Sequence, residues 1–275
     1  MERVILPANH YYSEEISPNV FLEKFHPGGK DGPNGEVLYN TIGGQVWTEI
    51  VLMGSADDAF QMAIPDIRMP ANQYWPLHWH DCWTVVLVVE GECLIGDWLL
   101  KAGDIFIAEP SIEYGPLLIG AQGCRLFEIF ARLHLSTGGY APEFRDHPTL
   151  TTKGAVFMER SPVNQRNNGR QTMPCGNVPG IARDRLRPGG VWDLGAPGDP
   201  DRGVMTCAVL APGEALPGRT CNDWSAFLVL VGSASAMGRT LGRDDYLLVR
   251  PGGTVGEIVG GSEGAQVLEL RRTAR

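Results

Sequence analysis

Trp83-Thr84-Val85-Val86-Leu87-Val88-Val89-Glu90-Gly91 is an apolar run of strand length that ends on a glycine. Exactly the same plan returns 141 residues later, as Trp224-Ser225-Ala226-Phe227-Leu228-Val229-Leu230-Val231-Gly232. The offset holds on both sides of the run. Asp104 meets Asp245, Pro110 meets Pro251, Gly115 meets Gly256, Gly123 meets Gly264 and Glu128 meets Glu269, while upstream Pro76 meets Pro217. Such agreement at one spacing predicts two copies of one unit, not the roughly 20–50-residue period of a solenoid.

Each copy reads as all-β. In the first, a strand near Gln61–Met69 is followed by one ending at His78–His80, then by the apolar run and a turn at Glu90-Gly91-Glu92. Cys93–Ile95, the turn Gly96-Asp97, Leu99-Leu100, Ile105–Ala108 and Arg125–Ala131 complete the series. Strands of about 4–7 residues separated by glycine-bearing turns every 8–12 or so are the pattern of a sandwich or barrel. The 35 glycines and 20 prolines, spread without low-complexity runs, supply the turns.

Composition narrows the function classes. The 275 residues suffice for one large domain or two of about 100–150 each. With 43% hydrophobic and 20% charged residues the chain has the makeup of a folded globular protein. A net charge of −9 argues against nucleic acid or an anionic membrane as partner. The longest apolar run, Val85–Val89, falls far short of the roughly 20 residues of a membrane span. Residues 1–10 lack the apolar core of a signal peptide, so a cytoplasmic location is expected. Six scattered cysteines with no CxxC pair are expected to be small buried hydrophobes, not a disulfide framework or zinc cluster.

Over about residues 58–132 the first copy resembles the cupin superfamily. His78-Trp79-His80 supplies the paired histidines of that family's first motif and Gly91 its closing glycine. Gly103-Asp104 opens the second motif, which continues through Glu109-Pro110-Ser111-Ile112-Glu113-Tyr114-Gly115-Pro116. Thr84 stands where the family has a metal-binding glutamate, and Tyr114 where it has a third histidine. The second copy keeps the framework, but Arg219, Cys221, Ser225 and Val255 replace His78, His80, Thr84 and Tyr114. The resemblance implies an all-β fold of two tandem jelly-roll barrels, a bicupin. On this reading residues 1–135 form an N-terminal arm and barrel, with the site in 58–132. Residues 136–200 hold the linker and opening strands of the second barrel, and 201–275 a degenerate barrel.

Alternate side chains of a strand face one side, so His78 and His80 project together. Two imidazoles at that spacing can take neighbouring positions on a divalent metal, here Fe, Zn, Mn or Ni. Tyr114 is the next ligand expected, and it competes for a role as general acid or base. Glu113, Asp81 and Glu49 are further possible donors, although alternation sets Glu113 opposite to Tyr114. Glu128, being shared with Glu269, reads as structural. Thr84, Gln61 and Arg68 are candidate substrate contacts, and Tyr74 and Trp75 candidate pocket-rim residues. The bland alternative makes both histidines hydrogen-bonded barrel residues without a metal.

The resulting expectation is a metal-dependent cupin enzyme acting on a small organic molecule in the N-terminal barrel, by dioxygenase, lyase, isomerase or cyclase chemistry. The alternatives are a non-catalytic small-molecule- or metal-binding bicupin, and a metal-free acid/base enzyme using His78, His80 and Tyr114. Open strand edges and an exposed N-terminal arm invite pairing, so a homodimer is one assembly the sequence allows, with no feature that fixes the stoichiometry.

Overall fold

The structure is a computed structural model that describes residues 12–24, 36–41, 44–53, 62–75, 77–131, 137–139, 155–156, 175–176 and 178–273. Among these residues every regular element is a strand. The first are β1 (Tyr12–Ser17), β2 (Val20–Lys24), β3 (Glu36–Thr41), β4 (Gly44–Met53), β5 (Met62–Met69) and β6 (Tyr74–Trp75). Next come β7 (His78–His80), β8 (Thr84–Ile95), β9 (Trp98–Lys101), β10 (Asp104–Ala108), β11 (Leu117–Phe130), β12 (Thr137–Gly139) and β13 (Ala155–Val156). Then follow β14 (Ile181–Arg185), β15 (Gly190–Leu194), β16 (Gly203–Leu210), β17 (Ala215–Leu216) and β18 (Arg219–Thr220). The last are β19 (Ser225–Ala236), β20 (Arg239–Leu241), β21 (Asp245–Val249), β22 (Thr254–Val255) and β23 (Ile258–Arg272).

The repeat is a repeat of topology. One large sheet runs β14-β10-β8-β11-β5-β4-β3 and a second β1-β2-β21-β19-β23-β16-β15, with β13-β12-β7 and β18-β22 as smaller sheets. Strands 141 residues apart hold equivalent places, β8 with β19, β10 with β21, β11 with β23 and β5 with β16. All these pairings are antiparallel. The shared glycines explain the shared bends. Gly91 has φ +72° and an added Cβ would lie 2.1 Å from the carbonyl oxygen of Gly123; Gly232 has φ +73° and the corresponding distance to Gly264 is 2.2 Å. Only glycine admits that crossing of strands.

Inside each barrel the alternate residues form an apolar core. In the first it includes Ile67, Met69, Val86, Val88, Phe106, Leu117 and Leu126. In the second it includes Phe227, Val229, Leu247, Val249, Val255 and Val267. All six cysteines are free thiols and buried, as their scattered spacing predicts.

Two compact units divide the chain, and they cut it differently from the boundaries at 135 and 200. β14 pairs with β10 and belongs to the first unit, whereas β1 and β2, read from sequence as the first barrel's arm, belong to the second through β21. The physical reason is that β10 and β21 each leave an edge whose unpaired N–H and C=O groups take a strand from whichever segment reaches them. Edge pairing leaves no periodicity in the sequence that names its partner.

Candidate metal centre

Three elements of the first barrel bring its polar residues together. His78 and His80 leave β7 on one face, and both are buried, at 1% and 6% exposure. Tyr114, in the segment after β10, is tied to β7 by two backbone bonds, His78 N–H to Tyr114 O at 3.1 Å and Tyr114 N–H to His78 O at 2.9 Å. Glu128 comes from β11, where alternation sets it on the inner face with Leu126 and Phe130.

The side chains converge. His78 Nε2 lies 3.9 Å and His80 Nε2 3.6 Å from Glu128 Oε1. One ligand-type atom from each of these three residues falls within 4.8 Å of the others. Tyr114 donates its hydroxyl to Glu128 Oε1 at 3.0 Å. The two imidazole rings stand edge to face, centroids 5.1 Å apart, while Phe130 packs on His80 at 4.7 Å and Phe106 on Tyr114 at 4.9 Å. The aromatic packing locks the rings in place.

Electrostatics favour the ligand-competent protonation states. Burial works to raise the Glu128 pKa, but the imidazoles of His78 and His80 outweigh it and hold the carboxyl down at about 2. Burial lowers the pKa of His80, against the pull of Glu128. Burial raises that of Tyr114 well above the ordinary phenol value, with the Glu128 charge adding to it. At neutral pH the site therefore presents a carboxylate, a neutral His80 and a protonated phenol. A divalent ion needs deprotonated ligands, and this set offers them.

Of the sequence-derived candidates, His78, His80 and Tyr114 come together, and Thr84 lies on the same interior face, 1% exposed and paired across the strands with Phe130. Arg68 does not join them. It projects from the outer face of β5 and pairs with Asp66 at 3.0 Å, since the inward positions of that strand are Ile67 and Met69. Its role as a contact to substrate at this centre is thereby corrected. Gln61 lies outside the described residues, and Tyr74 and Trp75 form β6 against Leu118 and Leu117. Glu113 is buried but stands outside the histidine–carboxylate group.

Glu128 is the member of this group that the sequence reading did not place at the centre. Its match to Glu269 suggested a structural role, yet a carboxylate at an inward strand position between Leu126 and Phe130 was the available signal. In the second barrel Arg219, at the His78 position, is ion-paired with Glu269, and Thr206 Oγ1 donates to the other carboxylate oxygen at 3.2 Å. A guanidinium thus balances there the charge that two imidazoles face in the first barrel.

Beside Glu128 a small cavity of about 10 Å³ is walled by Ile67, Met69, Leu117 and Leu126. That is room for one water-sized molecule, in an otherwise apolar setting.

No family model and no curated protein matches the sequence. Solved structures do match in fold. A Nostoc punctiforme protein provisionally described as a dioxygenase superposes with a TM-score of 0.59 at 12% identity, over 96% of this chain and 86% of its own. A bacterial pirin of Escherichia coli, in complex with nickel(II), gives 0.53 at 12% identity over 92% and 98%. Oxalate decarboxylase of Lactobacillus farciminis, as its formate complex, gives 0.54 at 15% identity over 87% and 83%. With its sheet order, its internal repeat and these likenesses, the chain is a protein of the cupin fold, built as two tandem jelly-roll barrels.

Proposed function

We propose that the first barrel binds one divalent metal ion through His78, His80 and Glu128, and that the protein is an enzyme acting on a small organic molecule there. The observation that carries the reading is the pair of imidazoles facing a buried, ionised carboxylate whose counterpart in the second barrel is matched by an arginine. Two nitrogens and one oxygen suit Fe, Mn, Ni or Zn. When bound, such an ion supplies Lewis acidity and open coordination positions.

The chain's own groups do the rest. Glu128 holds negative charge in a dry interior, and Tyr114 orients it through their 3.0 Å hydrogen bond. The raised pKa of Tyr114 keeps its proton in place at neutral pH, so its hydroxyl serves as donor in the ground state. Phe106 and Phe130 keep water from the rings.

Metal analysis of protein purified without an affinity tag, alongside H78A/H80A, tests this reading. About one metal per wild-type chain and none in the folded double variant is the expected result. Equal metal content in both, or none in either, overturns it.

A further inference from the structure

We infer, building on the metal centre proposed above, that Thr84 and Ala108 form a subsite for one oxygen atom of a small carboxylate beside the His78, His80 and Glu128 group. The Thr84 hydroxyl donates to that oxygen, and the short side chain of Ala108 leaves it space.

Thr84 opens β8 on the inner face of the barrel, because Val86 and Val88, which share its face, lie in the core. Across the strands it stands opposite Ala108 of β10 and Phe130 of β11. One pleat further on, Val86 stands opposite Phe106 and Glu128. Thr84 therefore borders the row that carries the carboxylate, and Phe130 at its side packs on the His80 ring.

The Thr84 side chain is buried, and its Oγ1 has no hydrogen-bond partner among the described residues. The Tyr114 hydroxyl lies near enough to be affected by Thr84, but its proton is committed to Glu128 at 3.0 Å. A buried hydroxyl left without a partner costs stability that a valine of the same shape would not. Such a cost, borne at the edge of a polar centre, marks a group kept for a ligand.

The repeat supplies the control. Ser225 takes the place of Thr84 in the second barrel and is also buried, yet its Oγ donates to the Asp223 carbonyl at 3.4 Å. Val249 takes the place of Ala108, opposite Ser225, and belongs to the core. The barrel without paired imidazoles thus satisfies its hydroxyl and fills the neighbouring space with the larger side chain. The barrel that has them does neither.

Thr84→Val, Thr84→Ser and Ala108→Val, each metal-free and loaded with cobalt(II), test the subsite. Without metal, Thr84→Val should raise the melting temperature by about 2–4 °C, because it removes an unsatisfied hydroxyl, whereas Thr84→Ser should not. With cobalt bound, formate titrated at constant ionic strength against chloride should change the visible spectrum saturably. Thr84→Val should weaken formate about tenfold, the worth of one hydrogen bond, with cobalt affinity unchanged in competition against a chelator. Ala108→Val should weaken it too, and Thr84→Ser should retain it. A melting temperature that stays level or falls in Thr84→Val, a cobalt protein that binds no formate, or equal formate binding in folded Thr84→Val overturns the subsite. A wild-type protein that takes up no cobalt overturns the proposed function instead, and the sign of the melting shift then decides the subsite alone.

Discussion

Arg219 and Glu269 form an ion pair in the second barrel at the positions that His78 and Glu128 occupy in the first. The inward carboxylate is common to both copies; its counter-charge is not. Where an arginine stands opposite it, the second barrel holds its own cation; in the first, two imidazoles face the carboxylate, and on the proposed function a metal ion supplies the counter-charge.

Removing Arg219 should therefore cost stability, although Arg219 lies outside the proposed site. Arg219→Met leaves Glu269 facing a buried interior, and breaking a buried pair costs about 3–5 kcal/mol. Because the Arg219 side chain is 38% exposed and Arg271 Nε lies 3.5 Å from the same oxygen, a loss of about 2 kcal/mol is expected. Arg219→Met/Glu269→Gln should recover most of it. Urea denaturation measures both, and an unchanged midpoint in Arg219→Met would remove the counter-ion role.

Tyr114→Phe deletes the hydroxyl that donates to Glu128 while keeping the ring against Phe106 and His78. Stability should drop by about 1 kcal/mol, the net worth of one hydrogen bond. Metal affinity should fall about 10–100-fold, as when the partner of a ligand is removed, with stoichiometry unchanged at saturation. Competition against a chelator reads the affinity. A Tyr114→Phe protein that binds no metal at any concentration would make the tyrosine an obligatory ligand instead.

Glycine positions divide sharply. Gly91→Ala and Gly232→Ala each drive a Cβ to within 2.1 Å and 2.2 Å of a carbonyl oxygen, on backbone at positive φ. Each should cost about 3 kcal/mol or more. Gly213 also has positive φ, +75°, but nothing lies within 4 Å of its added Cβ, so Gly213→Ala should cost about 1 kcal/mol. Thermal melts of the three variants test the order.

Acid should destabilise the metal-free protein in two stages. Burial lowers the His80 pKa below its ordinary 6.5, so the unfolded chain binds the extra proton first, and stability falls as the pH drops below about 6.5. Glu128, held at about 2, adds stability above its ordinary 4.5 that is lost as the pH falls toward 2. Melting temperature against pH in chelator should show both declines, and His80→Gln should abolish the first and shrink the second, since His80 is one of the two imidazoles that hold Glu128 down. Retention of the first decline in His80→Gln would assign it to another group.

How much was legible beforehand can be judged residue by residue. The 141-residue offset and the alternation of Trp83–Gly91 determined the all-β duplication, because period-two burial and glycine bends are local properties written along the chain. His78 and His80 were legible for the same reason, being two residues apart on one strand. Glu128 was not, since it reaches the histidines from β11, 48 residues beyond His80, and only the curling of the barrel makes that separation a contact. Arg68 went the other way, as one step along β5 turned it from the centre to Asp66 and the outer face. The partners of β2 and β14 were equally hidden, because hydrogen bonds between edge strands involve backbone atoms that every residue shares. Sequence settled which side chains share a strand face, and tertiary folding alone decided which faces meet.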